Sequence, residues 1–189
     1  MKENKKIIEQ VSVVKRTEMT RGTYEHFRKM VFSGDAIRIK NGLYCNIDDA
    51  FMINYEIEKI VPGGIMCMWS AWHYYDLCDT IPYATCVAVD THRKVSVPEY
   101  PKFNLYYWNE KSLNTGVTTV VENNVEFRIY DIERCVCDAL RFRNKIGMDV
   151  TAEIINRYLA SDSKNMNKLH EYARIFKVDK ILKNIIQYR

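Results

Sequence analysis

The sequence predicts an α+β fold. A small helix-and-hairpin unit occupies residues 1–46; over residues 47–189 a central mixed sheet carries helices and gives way to a helical C-terminal tail. Three observations predict it. An amphipathic run is followed by short alternating stretches around Asn41-Gly42. Runs of β-branched and aromatic residues recur between residues 84 and 129. Beyond Asp131, apolar residues return every three or four positions.

Taken in order, Ile7, Ile8, Val11 and Val14 form one apolar stripe, which predicts a helix over residues 3–16. A second helix is expected over residues 20–33, with Thr20 as N-cap and Gly34 just past its end. On a helical wheel Tyr24, Phe27, Met30 and Val31 share one side, and Arg21, Gly22, Glu25, His26 and Lys29 the other. Ile37 and Ile39 alternate with Arg38 and Lys40, the pattern of a half-buried strand. Asn41-Gly42 is the dipeptide of a type I′ turn, and Leu43 to Cys45 returns as the partner strand. A helix followed by a hairpin with basic residues before its tip is the layout of a winged helix-turn-helix-like unit.

Residues 48–60 read as helical up to Pro62-Gly63-Gly64, and Ile65 to Met68 as a short strand. Ser70 is read as the cap of a helix reaching Leu77. Strands are expected at 84–89, 103–108, 117–121 and 124–129, with a loop at 91–101 that contains Pro98 and Pro101. Asp131 is expected to cap a helix over 132–143 that buries Ile132, Cys135, Val136 and Ala139, and Gly147 to end that segment. Helices at 150–160, 164–176 and 179–187 complete the tail.

Composition narrows the function. Hydrophobic residues at 47% and aromatics at 12% supply a core and argue against disorder. No apolar run approaches the roughly 20 residues of a membrane span. The polar start, Met1 to Lys6, predicts no secretory signal, so a cytoplasmic, membrane-free protein is expected. The six cysteines have mostly apolar neighbours and no C-x-x-C pair, which predicts buried reduced thiols rather than a zinc or redox site. No cofactor or metal is expected.

The formal net charge of +4 is unevenly spread: residues 1–44 carry +5, residues 45–140 carry −7 and residues 141–189 carry +6. Segregated positive charge suits a phosphate backbone. The aromatic residues Trp69, Trp72, Tyr74, Tyr75, Tyr106, Tyr107 and Trp108 fall in the acidic middle, which favours core or protein-interface use over base stacking. Phosphate-loop, dinucleotide-binding, G-x-S-x-G and H-E-x-x-H motifs are absent, as is any Gly-Ser dipeptide. Asp131 and Glu133 are read as an N-cap and a dipole-favoured first-turn acid. His73 is read as packed among Trp72, Tyr74 and Tyr75.

Three stretches carry a family resemblance. Trp69-Ser70-Ala71 through Asp76-Leu77 to Ile81-Pro82 resembles the S-A-x-x-x-x-G-L-T-x-x-I-P stretch of AbiEi-type antitoxins. Glu133-Arg134-Cys135-Val136-Cys137-Asp138-Ala139-Leu140 is similar to their E-R-T-L-x-D-x-L helix, and Arg38 to Tyr44 to their R-x-x-x-G-x-Y wing. The order is the family's, over essentially the whole chain. The chain departs from the pattern at Asp76, where the family has Gly, at Cys135, where it has Thr, and in the short stretch before the wing.

The resemblance implies an autorepressor of a bacterial type IV toxin–antitoxin, abortive-infection (phage-defence) operon, with no catalytic residues. Its partners would be operator DNA and a nucleotidyltransferase-like toxin, counteracted functionally if not physically. Arg21, Thr23, His26 and Lys29 would face the DNA groove, and Arg38, Lys40 and Asn41 would reach phosphate from the wing. One module of this size makes few contacts, so a homodimer, or two copies, on an inverted repeat is expected. Glu133, Arg134 and Asp138 would be scaffold residues, with Glu133 and Arg134 pairing with neighbouring strands. Two rivals stay open: a protein-binding antitoxin that never touches DNA, and a small metal-dependent nuclease using Asp131, Glu133 or Asp138.

Overall fold

The structure, a computed structural model, describes residues 13–187. Its described part is α+β, with a three-stranded and a five-stranded sheet. The smaller sheet comprises β1 (Val13–Lys15), β2 (Ala36–Lys40) and β3 (Leu43–Asn46), antiparallel in the order β1-β3-β2. Helix α1 (Arg21–Ser33) packs on one face of it.

The helix expected over residues 3–16 lies outside the described residues up to position 12. Beyond that point it is replaced by β1, in which Val13 pairs with Cys45 and Val14 with Tyr44. The β-branched pair splits between two environments. Val14 joins Phe27, Ala36 and Tyr44 under α1, while Val13 joins Ile39, Leu43 and Cys45 in the main core. Burial on both faces of a strand outweighs a helical stripe read from sequence alone.

The termini of α1 follow the expected chemistry. Thr20 Oγ1 accepts a hydrogen bond from the Thr23 amide at 3.2 Å, and Gly34 takes φ +89°. The hairpin turn differs from its expected type. The register slips between Arg38 and Lys40, and of the two turn residues only Gly42 has positive φ, at +78°. A bulge therefore makes the reversal, where type I′ would need both residues left-handed. That geometry occurs instead at Asn123 (φ +48°) and Asn124 (φ +64°), between β7 (Val117–Glu122) and β8 (Val125–Tyr130).

The larger sheet runs β6-β5-β4-β8-β7, where β4 is Ile65–Met66, β5 Thr85–Asp90 and β6 Phe103–Trp108. Its pairings are mixed: β4–β8 and β5–β6 are parallel, and β4–β5 and β7–β8 antiparallel. The segment read as one helix over 48–60 divides into a 3-10 turn, Ile47–Met52, and a single turn α2, Ile57–Ile60. Ser70 is not a cap. It lies inside α3 (Met68–Tyr74), whose N-cap is Cys67, and its hydroxyl accepts from the Cys86 amide of β5 at 2.9 Å. A short α4 (Glu110–Asn114), capped by Asn109, sits where no element was expected.

Helix α5 (Ile132–Ile146) is the central helix, capped by Asp131 and ended by Gly147 as the sequence predicts. Its buried face carries Cys135, Val136, Ala139 and Leu140, while Ile132 is half-buried. Trp72 of α3 donates its indole N–H to the Cys135 carbonyl at 3.0 Å. Helices α6 (Met148–Ala160), α7 (Met166–Ile175) and α8 (Asp179–Gln187) form the tail. Ile154, Tyr158, Leu169, Ala173 and Leu182 join its helices to the main core. Among the described residues no helix is long and apolar enough to cross a membrane.

All six cysteines are free and buried. Burial pushes every thiol up: Cys45 to about 12, and Cys67 and Cys135 well above the ordinary range. Thiolate forms only as pH rises toward a pKa, so at about pH 8 the native chain should hold almost none. A disulfide exchange reagent is expected to find no rapidly reacting thiol in the native protein, and six after denaturation. Fast reaction of one thiol before unfolding would contradict this burial.

Candidate nucleic-acid interface

Helix α1 turns a basic face to solvent. Tyr24, Phe27, Met30 and Val31 pack toward the small sheet, which leaves Arg21, Gly22, Glu25, His26, Arg28 and Lys29 outside. Residues 13–46 carry seven Lys/Arg against three Asp/Glu, a net +4. Glu25 offsets part of this charge by pairing with Arg28 at 3.4 Å, but both side chains are exposed and such a pair is weak. Thr23 is placed differently from its neighbours. It is half-buried, and its hydroxyl bonds with that of Thr20 at 2.9 Å, so it serves the cap.

Arg16 joins the helix to the hairpin tip. Its amide donates to the Gly42 carbonyl at 2.7 Å, while its guanidinium lies 4.2 Å from the centre of the Tyr24 ring of α1. Arg38 is exposed beside the tip and donates to Asn41 Oδ1 at 2.9 Å, so these two side chains share one end of the hairpin. Lys40 turns the other way. Its ammonium donates to the Ile60 carbonyl at 2.6 Å, and burial, with Lys15 alongside, pulls its pKa below the ordinary value. Lys40 thus ties the hairpin to α2. Lys59 of α2 likewise donates its ammonium to the Val13 carbonyl of β1 at 2.9 Å.

The arrangement exposes Arg21, His26 and Lys29 on the helix, and pairs exposed Arg38 with Asn41 on the hairpin. It adds Lys15, Arg16, Arg28 and Phe32, which the sequence reading did not single out. Lys15 and Arg16 were hidden inside a supposed helix. Arg28 adjoins Lys29, and its exposed position could be read off the wheel. Phe32 is 96% exposed, an apolar ring on an otherwise polar face. Its signal was likewise the wheel, on which it falls beside Arg28 and Lys29.

The three scaffold candidates cluster far inside. Arg134 is fully buried; its Nε donates to Asp138 Oδ2 at 2.9 Å, and its Nη1 donates to the carbonyls of Ser112 and Thr115 at 2.6 and 2.9 Å. Glu133 accepts from the Tyr158 hydroxyl at 3.2 Å and from the Asn165 amide at 3.0 Å. Their hydrogen bonds run to helices and loops, while Arg134 meets the neighbouring strands through the rings of Tyr130 on β8, 4.1 Å away, and Trp108 on β6, 5.7 Å away. Asp131 is the cap of α5 and accepts from the Tyr172 hydroxyl at 3.1 Å. The carboxylates a nuclease would need are therefore each engaged in the scaffold. Among the described residues no group of three or more His, Cys, Asp or Glu is placed to hold a metal ion. His73 is exposed rather than packed in its aromatic cluster.

No protein-family model matches the chain, and no curated protein matches it.

Proposed function

We propose that the chain is a DNA-binding transcriptional regulator that represses its own operon and acts in the cytoplasm as the antitoxin of a type IV toxin–antitoxin, abortive-infection system. The observation that carries the DNA contact is Arg16, which links the hairpin tip to α1, two elements that each expose basic side chains. In this reading Arg21, His26, Arg28 and Lys29 enter the groove, and Arg38 with Asn41 reaches phosphate. Lys40 docks the hairpin. The operator is an inverted repeat read by two copies. No catalytic step is assigned to the chain, and the toxin is a nucleotidyltransferase-like enzyme.

The antitoxin half rests on the resemblance to AbiEi-type proteins, and one backbone angle supports it. Asp76, where the family pattern has Gly, takes φ +59°. That is a left-handed conformation, which costs an L residue roughly 1–2 kcal/mol and glycine almost nothing. Asp76→Gly is accordingly expected to stabilise the chain by about 0.5–1 kcal/mol, since the greater entropy of an unfolded glycine offsets part of the gain. A urea midpoint at or below that of the parent would contradict it.

The function is tested by placing the region upstream of the chain's own gene before a reporter. Supplying the chain in trans is expected to lower output several-fold; undiminished output contradicts autorepression. A second reading, a toxin-binding module that leaves DNA alone, is favoured by Phe32, an exposed aromatic of the kind enriched at protein interfaces. Co-purification with the toxin, together with no shift of upstream DNA, would select it.

A further inference from the structure

A cavity of about 430 Å³ opens between α3, the loop before β5 and the start of β6, away from the basic face. Its size is that of a site for a small organic ligand, roughly 300–1,000 Å³. Two tyrosines wall it, and both are held from behind by the buried Phe127. The Tyr55 and Phe127 ring centres are 5.3 Å apart, and those of Tyr74 and Phe127 5.8 Å apart, edge to face. These rings are thus fixed before any ligand arrives. Two further tyrosines at the mouth stay open to solvent, Tyr83 at 80% and Tyr100 at 62% exposure. Such rings at a pocket mouth expose apolar surface that a planar ligand would cover.

The lining of the cavity has no negative side chain, Glu122 standing beyond its Tyr55 and Tyr74 walls. Lys102 stands at the mouth. Its ammonium rests on Tyr83, donating to the hydroxyl and lying 4.7 Å from the ring centre. A phenol is a weak partner for an ammonium; an anionic oxygen would make a stronger, charge-assisted bond. Also on the lining, the buried Thr85 hydroxyl donates to Oδ1 of the exposed Asn54 at 2.9 Å, which leaves the Asn54 amide nitrogen as a donor.

We infer that this cavity is a binding site for a planar aromatic anion, its ring lying among the tyrosines and its phosphate or carboxylate taking the Lys102 ammonium from Tyr83. The inference is independent of the DNA reading, because no residue of the basic face lines the cavity.

The test is calorimetric titration of the full chain with AMP, with indole-3-acetate and with uncharged adenosine. At least one of the two anions is expected to bind with a dissociation constant of about 1 mM or below, and adenosine about tenfold more weakly than AMP if AMP is the one that binds. AMP alone identifies a nucleotide as the source of the anion, and indole-3-acetate alone an aromatic acid. Lys102→Ala and Tyr100→Ala, both at exposed positions, are expected to weaken the bound anion about tenfold. Lys29→Ala with Arg38→Ala should leave it unchanged. The inference is overturned if neither anion binds, if adenosine binds as well as AMP, or if the Lys29/Arg38 pair rather than Lys102 and Tyr100 controls binding.

Discussion

Arg134→Met is expected to destabilise the fold by about 3–5 kcal/mol, the usual cost of breaking a buried pair by removing one partner. The guanidinium is fully buried, and three of its hydrogen bonds run to Asp138, Ser112 and Thr115. Its Cζ lies 4.1 Å from the ring centres of both Tyr130 and Phe176. Nη2 has no hydrogen-bond partner among the described residues, and the aromatic rings compensate for part of its lost hydration. Methionine fills some of the space but abandons Asp138, which is 1% exposed and would keep only Arg141, at 3.3 Å. It also strands the carbonyls of Ser112 and Thr115 at the end of α4.

Gly116 shows how tight this junction is: at φ +78°, an added Cβ would come within 2.7 Å of the Arg134 Cβ. The check is a urea denaturation curve. The double variant Arg134→Met with Asp138→Leu should recover part of the loss, because the buried charge goes with its partner. A single variant within about 0.5 kcal/mol of the parent would mean the cluster is decoration rather than scaffold.

Lys29→Ala together with Arg38→Ala is expected to weaken binding to upstream DNA about tenfold to a hundredfold while leaving the fold intact. Both side chains are exposed, one on α1 and one beside the hairpin tip, so their loss opens no cavity. If each neutralises one phosphate, the slope of log affinity against log salt should flatten by about 1.8, at roughly 0.9 per contact. The comparison variant is Lys180→Ala with Lys183→Ala on the exposed side of α8. An equal loss from that pair would move the DNA onto the basic tail and remove the helix and hairpin from the site.

Much of the fold was readable because its signals are local. Thr20 and Asp131 mark helix starts through hydroxyl and carboxylate caps, and Gly34 and Gly147 mark ends. The four long strands of the central sheet announced themselves through β-branched and aromatic runs. What escaped depends on distant partners. Val13 and Val14 form a strand because Cys45 and Tyr44 lie beside them, thirty residues on. Asn41-Gly42 carried the type I′ signature, but the bulge between Arg38 and Lys40 changed the reversal. Nothing near Ser70 in the chain hints that its hydroxyl serves the Cys86 amide of another element.

The candidate site was legible to the same degree. Solvent-facing positions on α1 follow from periodicity, so Arg21, His26 and Lys29 could be placed. Lys40 could not, since its carbonyl partner, Ile60, is twenty residues away. The tyrosine cavity went unread because its lining comes from four separate stretches of chain.

Whether the helix-and-hairpin unit binds DNA is decided by titrating the purified chain against labelled DNA from upstream of its own gene. Several salt concentrations are needed, with scrambled DNA as control. The expected result is specific binding whose log affinity falls linearly with log salt, by about 0.9 for each phosphate neutralised. Equal affinity for scrambled DNA, or no binding at the lowest salt, would contradict it.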